Sequence, residues 1–492
     1  MLFRQIFDDR LAQYAYLVGC QQTGEALLID PERDVDRYLV IAEEEGLRVV
    51  AVAETHIHAD FLSGARQLAQ RGVRVYLSAE GGHDWSYRWP GQGEYDVVLL
   101  RDGDSFRVGK VEVVAVHTPG HTPEHLSFTI TDRGGGADEP MGMVSGDFVF
   151  VGDTGRPDLL ESAAGVEGAM QEGAASLYRS VQRFLELPDY LQVWPGHGAG
   201  SACGKALGSV PESTVGYERR FSPALGAARN GERSFVDYIL DGQPEPPMYF
   251  GRMKTLNRDG PPLLEALPTP RPLTAGELEG LGGRDGVAIV DAREGRSGFM
   301  AGHLARSLFA PFDSTFPTVT GSYVDPEDDL VLVIDRHDVE AAVRALVRIG
   351  LDRVTGFVTP HTLEAYGTDG RELARIPEID VSELDGRRRE DSAAVLDVRS
   401  LSEYRAGHVP GALHAAHTRL GERLDELPRG RPLLVHCASG ERSAVAAAYL
   451  VRHGFDAVYV NGSLARWLSA HGGGQRGLPS GSADVTGAGA AG

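Results

Sequence analysis

The sequence predicts a multidomain protein of the α/β and α+β classes, and three observations support this prediction. The chain has 492 residues, which is more than one ordinary hydrophobic core accommodates. In the first half, four apolar runs each end in a polar cluster that contains His or Asp. In the second half, two similar units follow each other at a spacing of about 105 residues. Each unit runs strand, loop, helix, which is typical of small α/β domains with a parallel sheet.

The composition excludes several classes of function. The chain has 48 Lys and Arg against 70 Asp and Glu, a net charge of −22, so it is a poor candidate for binding nucleic acid or a membrane surface. It has no run of eighteen apolar residues and no signal-peptide pattern, so we expect no membrane span. The three cysteines, Cys20, Cys203 and Cys437, lie far apart, which argues against a disulfide framework and for a reducing cytoplasm. We therefore expect a cytoplasmic protein with small-molecule partners, and a homo-oligomer is compatible with the sequence.

A metal-ligand pattern follows the first apolar strands. The stretch 26–31 is expected to contain the end of a strand. A helix is expected over 34–45 and a buried strand over 49–53. The polar stretch after that strand contains His56 and His58 two positions apart and then Asp60, which are residue types that bind metals.

Three further polar clusters follow apolar runs over 111–116, 141–144 and 191–194. They contain His121 in T-P-G-H-T-P, Asp147 in S-G-D and His197 in P-G-H-G, respectively. Strand ends that each deliver His or Asp can converge on one metal. Solvated turn histidines are the alternative, which four clusters in this order disfavour.

This order of motifs resembles the metallo-β-lactamase superfamily, and the resemblance covers about the first half of the chain. It implies an αββα sandwich, two β-sheets between helices, with metal at the strand ends. The superfamily pattern H-x-H-x-D-H ends in a His where this chain has Phe61. Because a phenyl ring cannot coordinate, we expect a single metal ion instead of two.

Within that superfamily, the chain resembles the persulfide dioxygenases more closely than the thiolester hydrolases of the glyoxalase II type. The R-Q-I-F opening at 4–7 and the G-R-x-D run at 155–158 carry this resemblance together with the metal motifs. It implies one Fe(II) per chain, held by His56, His121 and Asp147. Such a set of two histidines and one carboxylate leaves positions open for O2 and substrate.

The resemblance leaves the roles of the other polar residues open. His58 and Asp60 are then expected beside the ligands without binding the metal, or His58 is a weak fourth ligand. His197 is either a hydrogen-bonded structural residue or a residue that contacts substrate, because Phe61 removes its metal partner.

Two residues further along are candidate substrate-binding groups. Arg156 either clamps a carboxylate of the thiol carrier or forms an ordinary surface ion pair. Cys203 lies in a Gly-rich run two residues before Lys205, which would favour a thiolate. The alternative for Cys203 is a small buried core residue.

Helices over 162–187 and 211–240 are expected to complete the first domain, and a Pro-rich connection follows it. From Gly472 the chain is mostly Gly, Ser and Ala, which predicts disorder. The expected segments are a metallo-β-lactamase domain over 1–258, a linker over 259–272, two α/β domains over 273–371 and 378–473, and a disordered tail over 474–492.

The two α/β units carry the pattern D-x-R followed by A-G-H, and the second adds the loop C-A-S-G-E-R-S at 437–443. These motifs resemble the rhodanese family of sulfurtransferases. Backbone N–H groups of such a loop, at the start of a helix, can surround the sulfur of Cys437 and stabilise its thiolate or persulfide. Four residues separate Cys437 from Arg442, and this short loop favours sulfur transfer over phosphate chemistry. The persulfide loop otherwise consists of Ala438, Ser439, Gly440, Glu441 and Ser443.

The corresponding loop of the first unit, at 335–338, contains no cysteine, so we expect this domain to be structural or to serve in docking. The assembled chain resembles a persulfide dioxygenase fused to two rhodanese domains. This implies oxidation of a low-molecular-weight thiol persulfide by O2 to sulfite, with Cys437 forming or using thiosulfate. The alternatives are a zinc thiolester hydrolase fused to rhodanese, and a sulfur carrier or scaffold without the first activity.

Overall fold

The computed structural model describes residues 1–162, 168–390 and 392–471, so the tail predicted over 474–492 lies outside the described residues. The chain divides into two compact units. The first contains Met1–Pro268 and, in addition, the segment Ala341–Asp352. The second contains Thr269–Glu340 and the described residues from Arg353 onward.

The strands of the first unit form two six-stranded sheets. They are β1 Leu2–Asp8, β2 Gln13–Cys20, β3 Glu25–Ile29, β4 Arg48–Ala53, β5 Arg74–Ser78, β6 Val97–Leu100, β7 Ser105–Val108, β8 Val111–His117, β9 Leu126–Asp132, β10 Gly142–Gly146, β11 Gln192–Pro195 and β12 Ser213–Thr214. One sheet has the order β1-β2-β3-β4-β5-β6 and the other β12-β11-β10-β9-β8-β7. The four strands expected before the metal motifs are therefore β4, β8, β10 and β11.

Helices cover the outer face of each sheet. Those of residues 1–268 are α1 Asp36–Glu44, α2 Ala65–Ala69, α3 Leu159–Ser162, α4 Ala169–Phe184, α5 Val215–Phe221, α6 Pro223–Arg229, α7 Glu232–Leu240 and α8 Phe250–Asp259. A core that includes Tyr16, Val113 and Phe128 fills the space between the sheets. Separate cores pack α1 and α2 on one sheet and α4, α6 and α7 on the other. The predicted αββα sandwich is confirmed.

The spacing of apolar side chains explains why the strands and helices of the first unit form layers. Every side chain of β2 is buried, because one face of this strand meets the core between the sheets and the other meets helices. In α4 the apolar positions Leu177, Val181 and Phe184 recur at helical spacing and are buried. This part of the predicted 162–187 helix is confirmed, whereas 163–167 lie outside the described residues.

The segment Ala341–Asp352 packs within the first unit, although in sequence it lies between two strands of the second. It contains most of a helix, α11 Val339–Arg348. The carbonyl of Arg348 accepts a hydrogen bond of 2.7 Å from Leu62, directly after the metal stretch. The Arg348 side chain is buried and contacts the carboxylates of Asp8, Glu32 and Asp34. The domain boundary predicted from the sequence, at 258–273, does not predict that a later segment of the chain packs within the first unit.

The second unit contains two five-stranded sheets whose adjacent strands are parallel. Their strands are β13 Arg271–Pro272, β14 Val287–Asp291, β15 Leu308–Phe309, β16 Asp329–Val333, β17 Val354–Val358, β18 Glu378–Asp380, β19 Ala394–Asp397, β20 Leu413–His414, β21 Leu433–His436 and β22 Ala457–Asn461. The orders, β13-β17-β16-β14-β15 and β18-β22-β21-β19-β20, are equivalent. The remaining helices are α9 Arg296–Ala301, α10 Phe316–Tyr323, α12 Pro360–Thr368, α13 Leu384–Glu390, α14 Leu401–Ala406, α15 Glu441–Arg452 and α16 Leu464–Ala470.

The D-x-R motif has the same structural role in both sheets. The Arg293 guanidinium forms two hydrogen bonds with Asp291 and one with a carbonyl at the end of α9. Arg399 repeats this arrangement with Asp397 and the end of α14. The predicted repetition of a parallel α/β unit is thus confirmed at the level of strand order and of this ion pair. Among the described residues, none of the helices combines the length and the hydropathy needed to cross a lipid bilayer.

Candidate metal centre and cysteine loop

Three predicted ligands meet at the ends of their strands. His56 follows β4, His121 follows β8 and Asp147 follows β10. One ligand atom from each residue lies within 4.8 Å of the others, and all three side chains are buried. The Asp147 Oδ2 atom is 3.5 Å from His121 Nε2 and 4.0 Å from His56 Nε2. The structure therefore brings together the three residues that the family resemblance assigns to iron.

The chemistry of this set fits a bound divalent cation. Both carboxylate oxygens of Asp147 are buried, and among the described residues no N–H or hydroxyl group donates a hydrogen bond to them. An unpaired buried carboxylate is costly, and a cation held between it and two imidazoles removes that cost. Burial raises the pKa of Asp147 to about 6 and lowers the pKa of His121 to about 3. Burial also holds the pKa of His56 well below its usual range, so both histidines are in the neutral form that binds metals.

Hydrogen bonds on the far side of each ligand fix its orientation. His56 Nδ1 pairs with the Thr55 hydroxyl at 2.9 Å, and His121 Nδ1 donates to the Arg156 carbonyl at 3.0 Å. In both residues the Nε2 atom faces the centre. Partners of this kind set the tautomer of a ligating histidine and the direction of its lone pair.

Several residues that shape the centre were missed by the sequence reasoning. Asp30, at the end of β3, accepts hydrogen bonds from the backbone and hydroxyl of Thr55. Glu124 accepts from the Ile57 backbone at 2.8 Å. His125 accepts the Asp147 N–H at 3.0 Å. Glu124 and His125 sit directly after the T-P-G-H-T-P motif, a signal that could have found them.

Asn257 shapes the same loop from a distant part of the sequence. Its amide donates to the carbonyls of His58 and Phe61, and its Oδ1 accepts from the Ser63 backbone. It lies on α8, nearly 200 positions after that loop. No local pattern marks such a residue, because its role exists only once α8 packs against the metal loop.

The structure places His58 in a second group, with Asp30 and Glu54. His58 Nε2 lies 3.3 Å from Asp30 Oδ1 and 3.2 Å from Glu54 Oε2. Burial opposes a charged imidazole, but these two carboxylates raise the pKa of His58 well above its usual range. In this geometry His58 is an ion-pair partner beside the metal ligands.

A third group consists of Asp60, His197 and Cys203. His197 Nε2 lies 3.3 Å from Asp60 Oδ2 and 3.5 Å from Asp147 Oδ1, while its Nδ1 donates to the Ala12 carbonyl. Burial raises the pKa of Asp60 to about 6. No sequence motif links Cys203 to this pair, and only the fold brings the three residues together. The Phe61 ring is fully buried.

The expectation that Lys205 favours a thiolate at Cys203 is wrong. The Lys205 ammonium donates instead to the carbonyls of Tyr238 and Asp241. Burial, together with nearby carboxylates, raises the pKa of the Cys203 thiol well above its usual range. Burial beside these carboxylates therefore favours the neutral thiol of Cys203.

Arg156 is buried, so the expectation of an ordinary surface ion pair is wrong. Its Nε donates to Asp158 Oδ1 at 2.8 Å, its Nη2 pairs with the other carboxylate oxygen, and its Nη1 donates to the Ala202 carbonyl at 2.9 Å. All three nitrogens therefore have internal partners. The observed contribution of Arg156 to the centre is its carbonyl, which orients His121.

In the second unit, the loop from Cys437 to Gly440 joins β21 to α15. The Gly440 N–H donates to Cys437 Sγ at 3.1 Å, and the Ser443 hydroxyl closes the turn by donating to the Gly440 carbonyl at 3.1 Å. Cys437 is buried at the base of this loop. Of the expected arrangement, a sulfur that faces backbone N–H groups at a helix start, the structure shows one such contact, from Gly440.

Arg442, predicted to be catalytic, is held by Glu403 through two hydrogen bonds of 2.6 and 2.8 Å. Although partial burial opposes it, this paired cation lowers the pKa of Glu403 to about 2. The pair fixes the first turn of α15 relative to α14, next to the loop.

Two family models match the chain. Residues 8–197 match the metallo-beta-lactamase superfamily, and residues 380–470 match the rhodanese-like domain. A metallo-beta-lactamase from Staphylococcus aureus subsp. aureus COL, known from a crystal structure, is 39% identical, with a TM-score of 0.65. The alignment covers 99% of that protein and 73% of this chain. The chain belongs to the metallo-beta-lactamase superfamily. Its C-terminal part is a rhodanese-like domain.

Curated relatives match the metallo-beta-lactamase part. The mitochondrial persulfide dioxygenase ETHE1 of Bos taurus is 28% identical over 46% of this chain and 76% of its own length. The human persulfide dioxygenase ETHE1 has the same identity and coverage. A beta-lactamase hydrolase-like protein of Xylella fastidiosa is 31% identical over 47% of this chain, and the match spans only 53% of that relative.

Proposed function

We propose that this chain is an iron-dependent persulfide dioxygenase joined to a rhodanese-type sulfurtransferase. The observation that carries the proposal is the buried set of His56, His121 and Asp147. Two neutral imidazoles and one carboxylate are the ligand set of non-heme Fe(II) oxygenases. The similarity to proteins named persulfide dioxygenase, over the part that holds this set, supports the same substrate class.

The proposed reaction consumes one persulfide, one O2 and one water. It gives the free thiol, sulfite and two protons: RSSH + O2 + H2O → RSH + SO3²⁻ + 2 H⁺. The sulfur–sulfur bond breaks, and the terminal sulfur is oxidised while O2 is reduced. Iron, when bound, supplies the activation of O2 in this reaction.

The residues of the chain would hold and shape the centre. Asp147 supplies the negative charge that retains the cation, and the neutral imidazoles of His56 and His121 complete one side of it. Thr55 and the Arg156 carbonyl keep both rings in place. Burial of all three ligands strengthens the attraction between the carboxylate and the cation, because charges interact more strongly away from bulk solvent.

A zinc thiolester hydrolase is the competing function, and one observation favours it. Asp60, His197 and Cys203 form a second group of ligand atoms beside the first, as a two-metal hydrolase would need. The two functions differ in metal content and in oxygen consumption. A hydrolase with two zinc ions would act on a thiolester and would consume no O2.

We further propose that Cys437 carries a transferable sulfur. A persulfide on Cys437 would pass its outer sulfur to sulfite, giving thiosulfate and the Cys437 thiolate: RSS⁻ + SO3²⁻ → RS⁻ + S2O3²⁻. The sheet of β13–β17, which matches the strand order of the rhodanese-like sheet, would be a rhodanese-like domain without a nucleophile. The substrates would be small sulfur compounds in the cytoplasm, and the domain limits given above remain predictions.

In the test experiment, anaerobically purified protein is supplied with glutathione persulfide and O2. Oxygen uptake is recorded, and sulfite and thiosulfate are quantified by ion chromatography. We expect oxygen uptake and mainly thiosulfate from the intact chain, and mainly sulfite from Cys437→Ser. Equal sulfite from both proteins would reject the coupling. Absence of oxygen uptake with an iron-loaded protein, tested also with cysteine and coenzyme A persulfides, would reject the dioxygenase.

A further inference from the structure

Arg296, at the start of α9, reaches the persulfide loop of the rhodanese-like domain. Its Nη2 lies 3.4 Å from the Ser439 carbonyl oxygen and 3.2 Å from Asn461 Oδ1. Its Nη1 pairs with the carboxylate of Glu441. Arg296 belongs to the α/β unit whose loop at 335–338 has no cysteine, so that unit supplies a cation to the loop of the other. Both lie within the second unit.

The contact with Ser439 acts on the same peptide group that faces the sulfur. The carbonyl of Ser439 and the N–H of Gly440 belong to one peptide plane, and the described chain contains no cis peptide bond. In a trans peptide these two groups point in opposite directions. The carbonyl end of this peptide meets the Arg296 guanidinium, and its N–H end donates to Cys437 Sγ at 3.1 Å.

We propose that Arg296 is a positioning residue for sulfur transfer at Cys437. It fixes the orientation of the Ser439–Gly440 peptide and polarises it, because a charged donor on a carbonyl strengthens donation from the N–H of the same group. It also neutralises Glu441, whose carboxylate would otherwise repel an anionic sulfur. The inference rests on the proposed sulfur-transfer function and assigns a role to the domain that lacks a nucleophile.

Neighbouring contacts hold Arg296 in this position. The Asn461 amide nitrogen donates to Glu378 at 2.8 Å, which turns its oxygen toward Arg296. Gly440 has φ of 109°, and a Cβ there would lie 2.6 Å from the Tyr459 hydroxyl and 3.2 Å from Arg296 Cζ. The loop and the guanidinium are therefore packed in direct contact. An exposed ion pair alone would contribute little, but this arginine also contacts a carbonyl and an amide.

The test compares Arg296→Gln with the intact chain in two measurements. The first is the pH dependence of Cys437 alkylation by iodoacetamide, located by peptide mass spectrometry. We expect the curve to move to higher pH by about half to one unit, because losing one polarised hydrogen bond disfavours the anion. The second is thiosulfate:cyanide sulfurtransferase activity, for which we expect kcat/KM to fall about three- to tenfold near neutral pH.

Two variants sharpen the comparison. Arg296→Lys keeps the charge without the planar fork, and we expect an intermediate alkylation curve. Arg353→Gln removes an exposed Arg353–Asp329 ion pair in the same α/β unit as Arg296, and we expect both measurements to match the intact chain. If Arg296→Gln does not fold, the test is the alkylation curve of Arg296→Lys compared with that of the intact chain.

An unchanged alkylation curve in a folded Arg296→Gln protein would overturn the inference, even if its activity fell. Full recovery of the alkylation curve in the double variant Arg296→Gln/Glu441→Gln would also overturn the proposed role of Arg296 in orienting the Ser439–Gly440 peptide. Only the neutralisation of Glu441 would then matter. Failure of the proposed function has a different signature: Cys437→Ser would retain sulfurtransferase activity, while the alkylation shift in Arg296→Gln would persist.

Discussion

His125 Nε2 accepts the backbone N–H of Asp147 at 3.0 Å, so a histidine that is not a ligand fixes the residue that supplies the charge of the metal centre. The His125 ring is buried, and its Nδ1 pairs with the Thr118 hydroxyl at 2.8 Å. Burial holds the pKa of His125 well below its usual range, which keeps Nε2 available as an acceptor. The tight turn at Gly146, with φ of 50°, brings Asp147 to this position.

Replacing His125 by Ala should lower metal affinity by about 10- to 100-fold, because residues that orient metal ligands have effects of this size. The measurement is iron retention against a competing chelator. His83→Ala, at an exposed histidine of the same unit, is the matched control and should leave affinity unchanged. Unaltered iron affinity in a folded His125→Ala protein would show that the Asp147 turn needs no such support.

Metal binding should weaken as the pH falls below about 6. In the metal-free protein, burial raises the pKa of Asp147 to about 6, so below that pH a proton occupies the carboxylate and must leave when the cation binds. Above it the carboxylate is free and affinity should level off. We expect a loss of about tenfold per pH unit below the midpoint for one displaced proton. A flat affinity between pH 7 and pH 5, after correction for the chelator, would contradict this.

Cys437→Ser should abolish thiosulfate sulfurtransferase activity and leave O2 uptake nearly intact. The residue and the metal ligands lie in different compact units and share no partner residue, so we expect the two activities to respond independently. Cys20→Ser is the matched control, since Cys20 is buried between strands of the first unit and has no proposed role. Surviving transfer in Cys437→Ser would mean that Cys203 or another group supplies the nucleophile.

Arg348→Met should destabilise the first unit strongly. The guanidinium donates to both carboxylate oxygens of Asp34 at 2.8 Å and also contacts Asp8 and Glu32. Its removal takes the cation away from Asp8, whereas Asp34 keeps Arg344 and Glu32 keeps Arg37. Breaking a buried pair in this way costs about 3–5 kcal/mol in the free energy of unfolding. Urea unfolding measures this, with Arg74→Gln, at the exposed Arg74–Asp96 ion pair of the first unit, expected to leave that free energy nearly unchanged. A loss for Arg348→Met as small as that for Arg74→Gln would show that the carboxylates find other partners.

The ligand set and the sheets were predictable from the sequence because their signals are local. Apolar runs that end in His or Asp locate strand ends, and the strands β4, β8, β10 and β11 deliver the residues expected. The Cys437 loop was equally predictable, because its glycine, short spacing and flanking strand and helix lie within one continuous stretch.

The supports of the centre were not predictable, because they depend on packing between distant segments. Asn257 and Arg348 reach the metal loop from about 200 and 290 positions away. The partners of Lys205 and Arg156 likewise depend on which side of the loop each side chain occupies, and neither follows from spacing. Arg296 belongs to a domain whose own loop has no cysteine, so no motif pointed to it.

The most direct test is the metal content of anaerobically purified protein, measured together with its O2 consumption on a persulfide. We expect about one iron per chain, with zinc incidental, and oxygen uptake that Asp147→Ala abolishes along with the iron. Asp96→Asn, at an exposed ion pair of the first unit, is the control and should retain both the iron and the oxygen uptake. Two stoichiometric zinc ions per chain in active protein, or oxygen uptake by an iron-free Asp147→Ala variant, would contradict the proposed iron-dependent function.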